Sequence, residues 1–184
     1  MNFALDLFIL LGHSIIFFFI TFYGFITKKN PLFDYIYLFI FWLLLLHWTL
    51  LNGECIITYA FKKLKNTNYV AGQHVFETEY TKIISVLPGT NANVLTWAEY
   101  IFNIIVRFIS NFILCFSVYY VAKRNNLPMF LVIPLIIIYE IYFYGVYNIK
   151  NHHKNKQFHI FQDVIKYIAI ILFLCIIYYH YSYK

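Results

Sequence analysis

The sequence predicts an all-α protein, a polytopic helical bundle in a membrane with about five transmembrane helices and one short amphipathic helix. Hydrophobic residues make up 62% of the 184 residues and charged residues only 12%, whereas soluble domains have about 45–50% and about 25%. Several apolar runs reach the roughly 20 residues that an α-helix needs to cross the hydrocarbon core. The mean hydropathy of +0.67 agrees with this fold class.

Five apolar runs define the predicted spans, which form a single membrane domain over residues 1–184. The spans are 3–25, 32–51, 97–121, 128–147 and 164–181. The first run lacks the basic start and the small-residue cleavage site of a signal peptide, so we interpret it as a retained span. Pro128 suits the first turn of a helix, and Pro134 predicts a kink in the fourth span.

A short amphipathic helix is predicted after the second span, because apolar and polar residues recur there with helical spacing. One face carries Ile57, Ala60, Phe61 and Leu64, and the opposite face carries Glu54, Thr58, Lys62 and Lys65. The following segment, 66–96, is polar and contains the turn-forming residues "ISVLPGTNAN", so we predict an extramembrane loop. Residues 148–163 are predicted to form a polar connector.

The formal net charge of +6 comes mainly from basic residues at the ends of the predicted spans. In a five-span topology, seven of these residues fall on the N-terminal side and five on the other side. Because cytoplasmic loops carry an excess of Lys and Arg, this distribution favours a cytoplasmic N-terminus. Because the basic residues are scattered at span ends, they give no support to nucleic-acid binding. The apolar runs make the lipid bilayer the expected partner of the chain.

The third span carries a polar stripe within about 120° of helical arc. Its members are Glu99, Asn103, Arg107, Ser110, Asn111 and Ser117. Ionisable groups in a membrane normally face the bundle interior or a wet cavity, so we expect this face to point inward. Arg107 and Glu140 of the fourth span differ in depth by roughly 3 Å. We therefore predict an Arg107–Glu140 ion pair, with Tyr144 one turn further on the same face as Glu140.

A second polar cluster is predicted on the first two spans. His13 and His47 lie at similar depth if these spans form an antiparallel hairpin. Glu54 and Thr58 continue the face of His47 toward the membrane surface. This interpretation accounts for the polar residues in "HWTLLNGECIITYAFKK", which begins inside an apolar run.

The pattern from His13 through Gly24 to "NGECIIT" resembles an uncharacterised family of small bacterial multi-span membrane proteins, over residues 8–64. In that family an early span carries His and then Gly, and the next span ends near a Gly-x-Cys-x-x-Thr sequence. The corresponding residues here are Gly53, Cys55 and Thr58. Ile56 stands where the family has proline. The resemblance implies a fold and no activity.

Three functions are compatible with these features. The first, which we prefer, is a structural, assembly or interaction protein of a membrane, with itself or other membrane proteins as partners. The high content of Phe (21) and Tyr (18) resembles proteins of AT-rich large DNA viruses, which fits a virus-encoded membrane component. The second is a small ion or proton channel or transporter that uses Arg107 and Glu140. The third is a bis-histidine haem or metal protein that uses His13 and His47.

Catalytic and cofactor signatures are missing from the sequence. It contains no G-x-S-x-G, H-E-x-x-H, P-loop or G-x-G-x-x-G motif, which disfavours an enzyme. The three cysteines have neither the even number of a disulfide framework nor metal-ligand spacing. We therefore expect no catalytic residue, no metal site and no cofactor.

Overall fold

The computed structural model describes residues 3–73, 97, 101, 105, 108–148 and 152–182, with side chains for 11–73, 97, 101, 105, 108–146 and 153–182. Within these residues the chain forms six α-helices, one 3₁₀ turn and no β-strand, which confirms the all-α fold class. The helices are α1 (Phe3–Ile26), α2 (Pro31–Leu50), α3 (Ile56–Lys65), α4 (Ser110–Arg124), α5 (Met129–Asn148) and α6 (Lys156–Ser182). The 3₁₀ turn is His152–Lys154.

Three of the helices, α2, α5 and α6, are long and apolar enough to cross a membrane. In α1, side chains are described only for Leu11–Ile26, and this part is an apolar helix shorter than the other three. The third predicted span, 97–121, is described as a continuous helix only from Ser110 onward. The structure therefore agrees with a membrane protein, while the number of five spans stays a prediction.

The long helices pack around a core of aromatic and aliphatic side chains. Helix α1 lies along α4, α5 packs against both α4 and α6, and α2 contacts α1, α4 and α6. Among the most deeply buried core residues are Phe41, Leu45, Val121, Tyr139, Tyr142, Phe158 and Ala169. Large apolar side chains are also exposed on the outside of every long helix, among them Phe18, Phe39, Phe112, Ile137 and Ile171. An apolar perimeter of this kind suits contact with lipid or another protein rather than water.

Helix α6 begins at Lys156, earlier than the predicted start of the fifth span at Val164. The side chain of Asn155 accepts a hydrogen bond from the Phe158 backbone N–H at 3.0 Å and so caps the first turn. Phe158 and Gln162 are buried in the bundle. The prediction of a polar connector over 148–163 was therefore too long, because part of that segment is a capped and packed helix.

Helix α3 forms where the amphipathic helix was predicted, and its buried residues come from both faces. Thr58 and Lys62 of the polar face are buried, and so is Phe61. Leu64 of the apolar face is 84% exposed. On the polar face, Lys62 pairs with the buried carboxylate of Glu54, whereas Lys65 is exposed.

Gly24 allows a very close approach of α1 and α4. Its backbone N–H donates a hydrogen bond to Ser117 Oγ at 2.8 Å. A Cβ atom at position 24 would lie 2.6 Å from the Ser117 carbonyl oxygen, a distance that side chains do not tolerate. Gly24, which belongs to the pattern that resembles small bacterial membrane proteins, is therefore a helix-packing residue in this structure.

Candidate functional site

A buried charge cluster joins three helices at one end of the bundle. Asp34, in the first turn of α2, is fully buried. Arg124, the last residue of α4, donates from Nε to Asp34 Oδ2 at 2.8 Å and from Nη2 to Asp34 Oδ1. Asn125 Nδ2 donates to Asp34 Oδ2 at 2.7 Å, and the Tyr23 hydroxyl donates to Asp34 Oδ1 at 3.0 Å. We call Tyr23, Thr27, Asp34, Arg124 and Asn125 the Asp34 cluster.

The remaining donors of Arg124 bind the end of α1. Nη1 donates to the Thr27 carbonyl oxygen at 2.8 Å, and Nη2 donates to Thr27 Oγ1 at 3.1 Å. A weaker contact at 3.4 Å reaches the Gly24 carbonyl oxygen. The hydrogen bonds with Asp34 raise the pKa of the Arg124 guanidinium, which lies beyond the predicted span 97–121. The guanidinium thus ties the end of α1 and the start of α2 to the end of α4.

A second charge cluster lies in the segment that follows α2. Glu54 is buried, and Lys62 Nζ donates to its Oε1 at 2.7 Å. The Tyr69 hydroxyl lies 2.9 Å from Oε1 and 3.0 Å from Oε2 of the same carboxylate. The Gly72 N–H donates to Oε2 at 3.3 Å. We call Glu54, Lys62, Tyr69 and Gly72 the Glu54 cluster; it holds α3 and the segment after it in place.

Neutral hydrogen bonds link the helices between these two clusters. The Tyr37 hydroxyl donates to Ser117 Oγ at 2.8 Å, and the Tyr139 hydroxyl donates to Asn111 Oδ1 at 2.9 Å. Near the Glu54 cluster, the Tyr142 hydroxyl donates to the Trp48 carbonyl oxygen at 2.8 Å. Every one of these bonds crosses from one helix to another.

The structure describes half of the polar stripe predicted on the third span. Asn111 and Ser117 are buried, as an inward face requires. Ser110 is half-buried and donates to the Ile105 carbonyl oxygen at 3.0 Å. The other members, Glu99, Asn103 and Arg107, lie outside the described residues. The Arg107–Glu140 ion pair therefore stays a prediction.

Glu140 borders a cavity between α4 and α5. Cys115 Sγ donates to Glu140 Oε1 at 2.9 Å, and the carboxyl group is half-buried. The cavity has a volume of about 380 Å³ and is lined by Phe108, Ile109, Phe112, Ile113, Glu140, Phe143 and Tyr144. Tyr144, which was predicted to share the face of Glu140, lies in the wall of the same cavity and is largely exposed. We call this space the Glu140 cavity.

Comparison with known proteins found no relative of the chain. No family model matches the chain, and no curated protein or solved structure is significantly similar to it. The resemblance of residues 8–64 to small bacterial multi-span proteins accordingly stays a prediction.

The second predicted cluster is distributed differently in the structure. His13 Nε2 lies 3.5 Å from Cys55 Sγ, whereas His47 Nδ1 donates to the Leu43 carbonyl oxygen at 3.1 Å in its own helix. Glu54 belongs to the Glu54 cluster, and Thr58 is buried in α3. In the part of the chain that the structure describes, no three His, Cys, Asp or Glu residues are grouped so that they could hold a metal ion.

The chemical capacity of these sites differs sharply. Asp34 and Glu54 are enclosed and saturated with donors, so their clusters can hold helices together but have no room for a ligand. Asp163 is exposed and pairs with Lys166 on its own helix at 2.6 Å. Glu140 combines a half-buried carboxyl group with open space beside it. The Glu140 cavity is therefore the candidate site for binding.

Proposed function

We propose that the protein is a five-span integral membrane protein with a structural or assembly role and a cytoplasmic N-terminus. The proposal rests on the Asp34 and Glu54 clusters. In each of them a buried carboxylate is paired with a cation and with hydrogen-bond donors, and these contacts hold helices or neighbouring segments together. Buried ionisable groups in membranes usually mark pathways or helix contacts, and full mutual pairing favours helix contacts. The apolar perimeter is then the surface for lipid, for further copies of the chain or for other membrane proteins.

The positions of the helix ends support the five-span arrangement. The end of α1, the start of α2 and the end of α4 meet in the Asp34 cluster. At the same end of α2, the Tyr35 hydroxyl lies 3.0 Å from His180 Nε2 near the end of α6. At the other end of α2, Tyr142 of α5 binds the Trp48 carbonyl oxygen and accepts a hydrogen bond from Gln162 near the start of α6. Such alternation is what successive crossings of a membrane require.

The outward face of α3 supports the same arrangement. Ile56 and Leu64 are exposed on a short helix that starts just after the apolar helix α2. A helix with exposed apolar residues and basic neighbours such as Lys63 is suited to the boundary between lipid headgroups and acyl chains. Its buried face is attached to the bundle through the Glu54 cluster.

The assembly role predicts that the perimeter of the bundle contacts protein in the native membrane. We expect p-benzoylphenylalanine placed at Phe116, which is exposed on α4, to form a discrete adduct with a second copy or another membrane protein on irradiation. Placed at Phe41, which is buried in α2, the same group should cross-link only within the chain. Gel mobility and mass spectrometry measure both results. A second exposed position for the same group is Ile137 in α5. If the group forms adducts only with lipid at both Phe116 and Ile137, the assembly role is contradicted.

The Glu140 cavity supports a second candidate function, a small proton or cation channel or transporter. A carboxyl group in a mainly apolar span can bind and release a cation, and here it borders open space. The structural role predicts instead that liposomes with the wild-type protein leak protons and potassium no faster than protein-free liposomes.

The test compares the wild type with Glu140→Gln, which removes the charge and keeps an acceptor for Cys115. Asp163→Asn, on the exposed surface of α6, is the matched control. Flux in the wild type and in Asp163→Asn that disappears in Glu140→Gln would replace the structural proposal by transport. Equal, background flux in all three preparations agrees with the structural role.

A further inference from the structure

The Glu140 cavity has the size and the composition of a small-molecule site. Its volume of about 380 Å³ falls within the range of about 300–1,000 Å³ that is usual for ligand pockets. The wall is almost entirely apolar and includes the aromatic rings of Phe108, Phe112, Phe143 and Tyr144. Phe112 is 64% exposed, so the cavity opens on the outer surface of the bundle. A ligand can therefore enter from the side of α4 and α5.

Glu140 gives this apolar cavity a specific polar contact. Cys115 occupies Oε1, whereas Oε2 receives no hydrogen bond from any residue that the structure describes. An ionised carboxylate in apolar surroundings is unfavourable without a positive partner. The cavity thus offers one acceptor oxygen for a positively charged or hydrogen-bonding group.

The aromatic rings indicate which kind of cation would complement the carboxylate. Ring faces attract cations, and aromatic walls are a common solution for binding organic ammonium groups. Calcium and magnesium, by contrast, need several oxygen ligands or retained water. Among the lining residues that the structure describes, Glu140 is the one charged side chain. A carboxylate among aromatic and aliphatic side chains suits a cation whose charge is surrounded by carbon.

We propose that the Glu140 cavity binds a hydrophobic organic cation, of the quaternary ammonium or phosphonium type. Its positive centre lies beside Glu140, and its apolar groups pack against Phe112 and Phe143. Such cations partition into lipid, which is the medium that the mouth of the cavity faces in the proposed orientation. The proposal concerns equilibrium binding and holds whether or not the protein moves the ligand across the membrane.

Binding of tetraphenylphosphonium to the purified full-length protein in a non-ionic detergent tests this proposal by equilibrium dialysis. We expect saturable binding of one cation per chain. Tetraphenylborate carries the same four phenyl groups and the opposite charge, so it should show no saturable binding. Glu140→Gln should weaken tetraphenylphosphonium binding at least tenfold, whereas the exposed carboxyl variant Asp163→Asn should bind like the wild type.

A second variant separates loss of the site from loss of the fold. Phe112→Leu keeps an apolar side chain in the wall but removes one ring, and we expect binding to weaken several-fold. Phe33→Leu, at an exposed position in α2, serves as its control and should leave binding unchanged. The proposal is overturned if the wild type shows no saturable binding, as would follow from a pair between Arg107 and Glu140. It is also overturned if Glu140→Gln and Phe112→Leu both bind with wild-type affinity.

Discussion

Asp34→Asn is expected to lower the free energy of unfolding by about 3–5 kcal/mol, the usual cost of removing one partner from a buried ion pair. Arginine cannot lose its proton to escape burial, and the Arg124 side chain is only 10% exposed. The variant therefore leaves a buried cation without its anion, although the size of the side chain at position 34 hardly changes. Unfolding of the purified protein in mixed detergent micelles, titrated with a denaturing detergent, measures the effect.

The same substitution at an exposed ion pair provides the control. Asp163 is 60% exposed and pairs with Lys166, so Asp163→Asn should cost at most about 1 kcal/mol. The double variant Asp34→Leu with Arg124→Met removes both charges and should recover much of the lost stability. If Asp34→Asn costs no more than Asp163→Asn, the Asp34 cluster does not hold the helices together.

Lys62→Met should have the second largest effect, a loss of about 3–5 kcal/mol, since it leaves the buried carboxylate of Glu54 without a cation. Tyr69 and Gly72 still donate hydrogen bonds to this carboxylate, but they cannot neutralise it. Methionine keeps the length and the apolar part of the side chain, so the measured change reports mainly the charge. Limited proteolysis after α3, together with the detergent titration, would show whether the local segment opens first.

Lys65→Met is the matched control for this prediction. Lys65 lies three residues further along α3 and is exposed, with its Nζ 3.9 Å from the centre of the Phe61 ring. An exposed cation–π contact is worth about 0.5–1 kcal/mol, so the control should be mildly affected. Equal losses in Lys62→Met and Lys65→Met would show that the Glu54 cluster is not the source of the stability.

The fold class could be predicted because apolar composition and run length depend on the solvent around the helices rather than on their partners. The start of α6 could not be predicted from polarity. Its first turns contain "KQFHIFQD", which resembles a loop by composition. The cap by Asn155 and the burial of Phe158 determine that the helix begins at Lys156, and both depend on tertiary packing.

The orientation of α3 illustrates a limit of hydrophobic patterns. The spacing identified a helix with two faces but not which residues pack on the bundle, because the rule that apolar residues point inward assumes water on the outside. When apolar surface can instead be covered by lipid, polar residues that are paired can be buried. Glu54 and Lys62 supply that pairing in the structure.

The histidine hypothesis depended on a hairpin of the first two spans. Depth alone placed His13 and His47 at the same level, but depth does not determine which faces meet. In the structure α1 lies along α4, and His13 contacts Cys55. The sequence assigns no partner to Cys55, so this contact could not be predicted from depth.

The Asp34 cluster was missed for a related reason. Asp34 and Arg124 are both near predicted span ends, where charges are common and need no partner. Arg124 accordingly counted only as one of the basic residues at span ends that indicate the orientation in the membrane. The two residues fall on the same side of a five-span topology, so the depth argument that pairs Arg107 with Glu140 also pairs Asp34 with Arg124.

The sequence separation within the Asp34 cluster has a consequence for biosynthesis. Asp34 and Arg124 are 90 residues apart in the chain. At a translation rate of about 5–20 residues per second, the helix that carries the arginine emerges roughly 5–20 s after the aspartate. During that interval α1 and α2 are present without the guanidinium that pairs with Asp34 in the folded protein. The Asp34 cluster can therefore close only after α4 has been made, so it forms late in synthesis although Asp34 is made early.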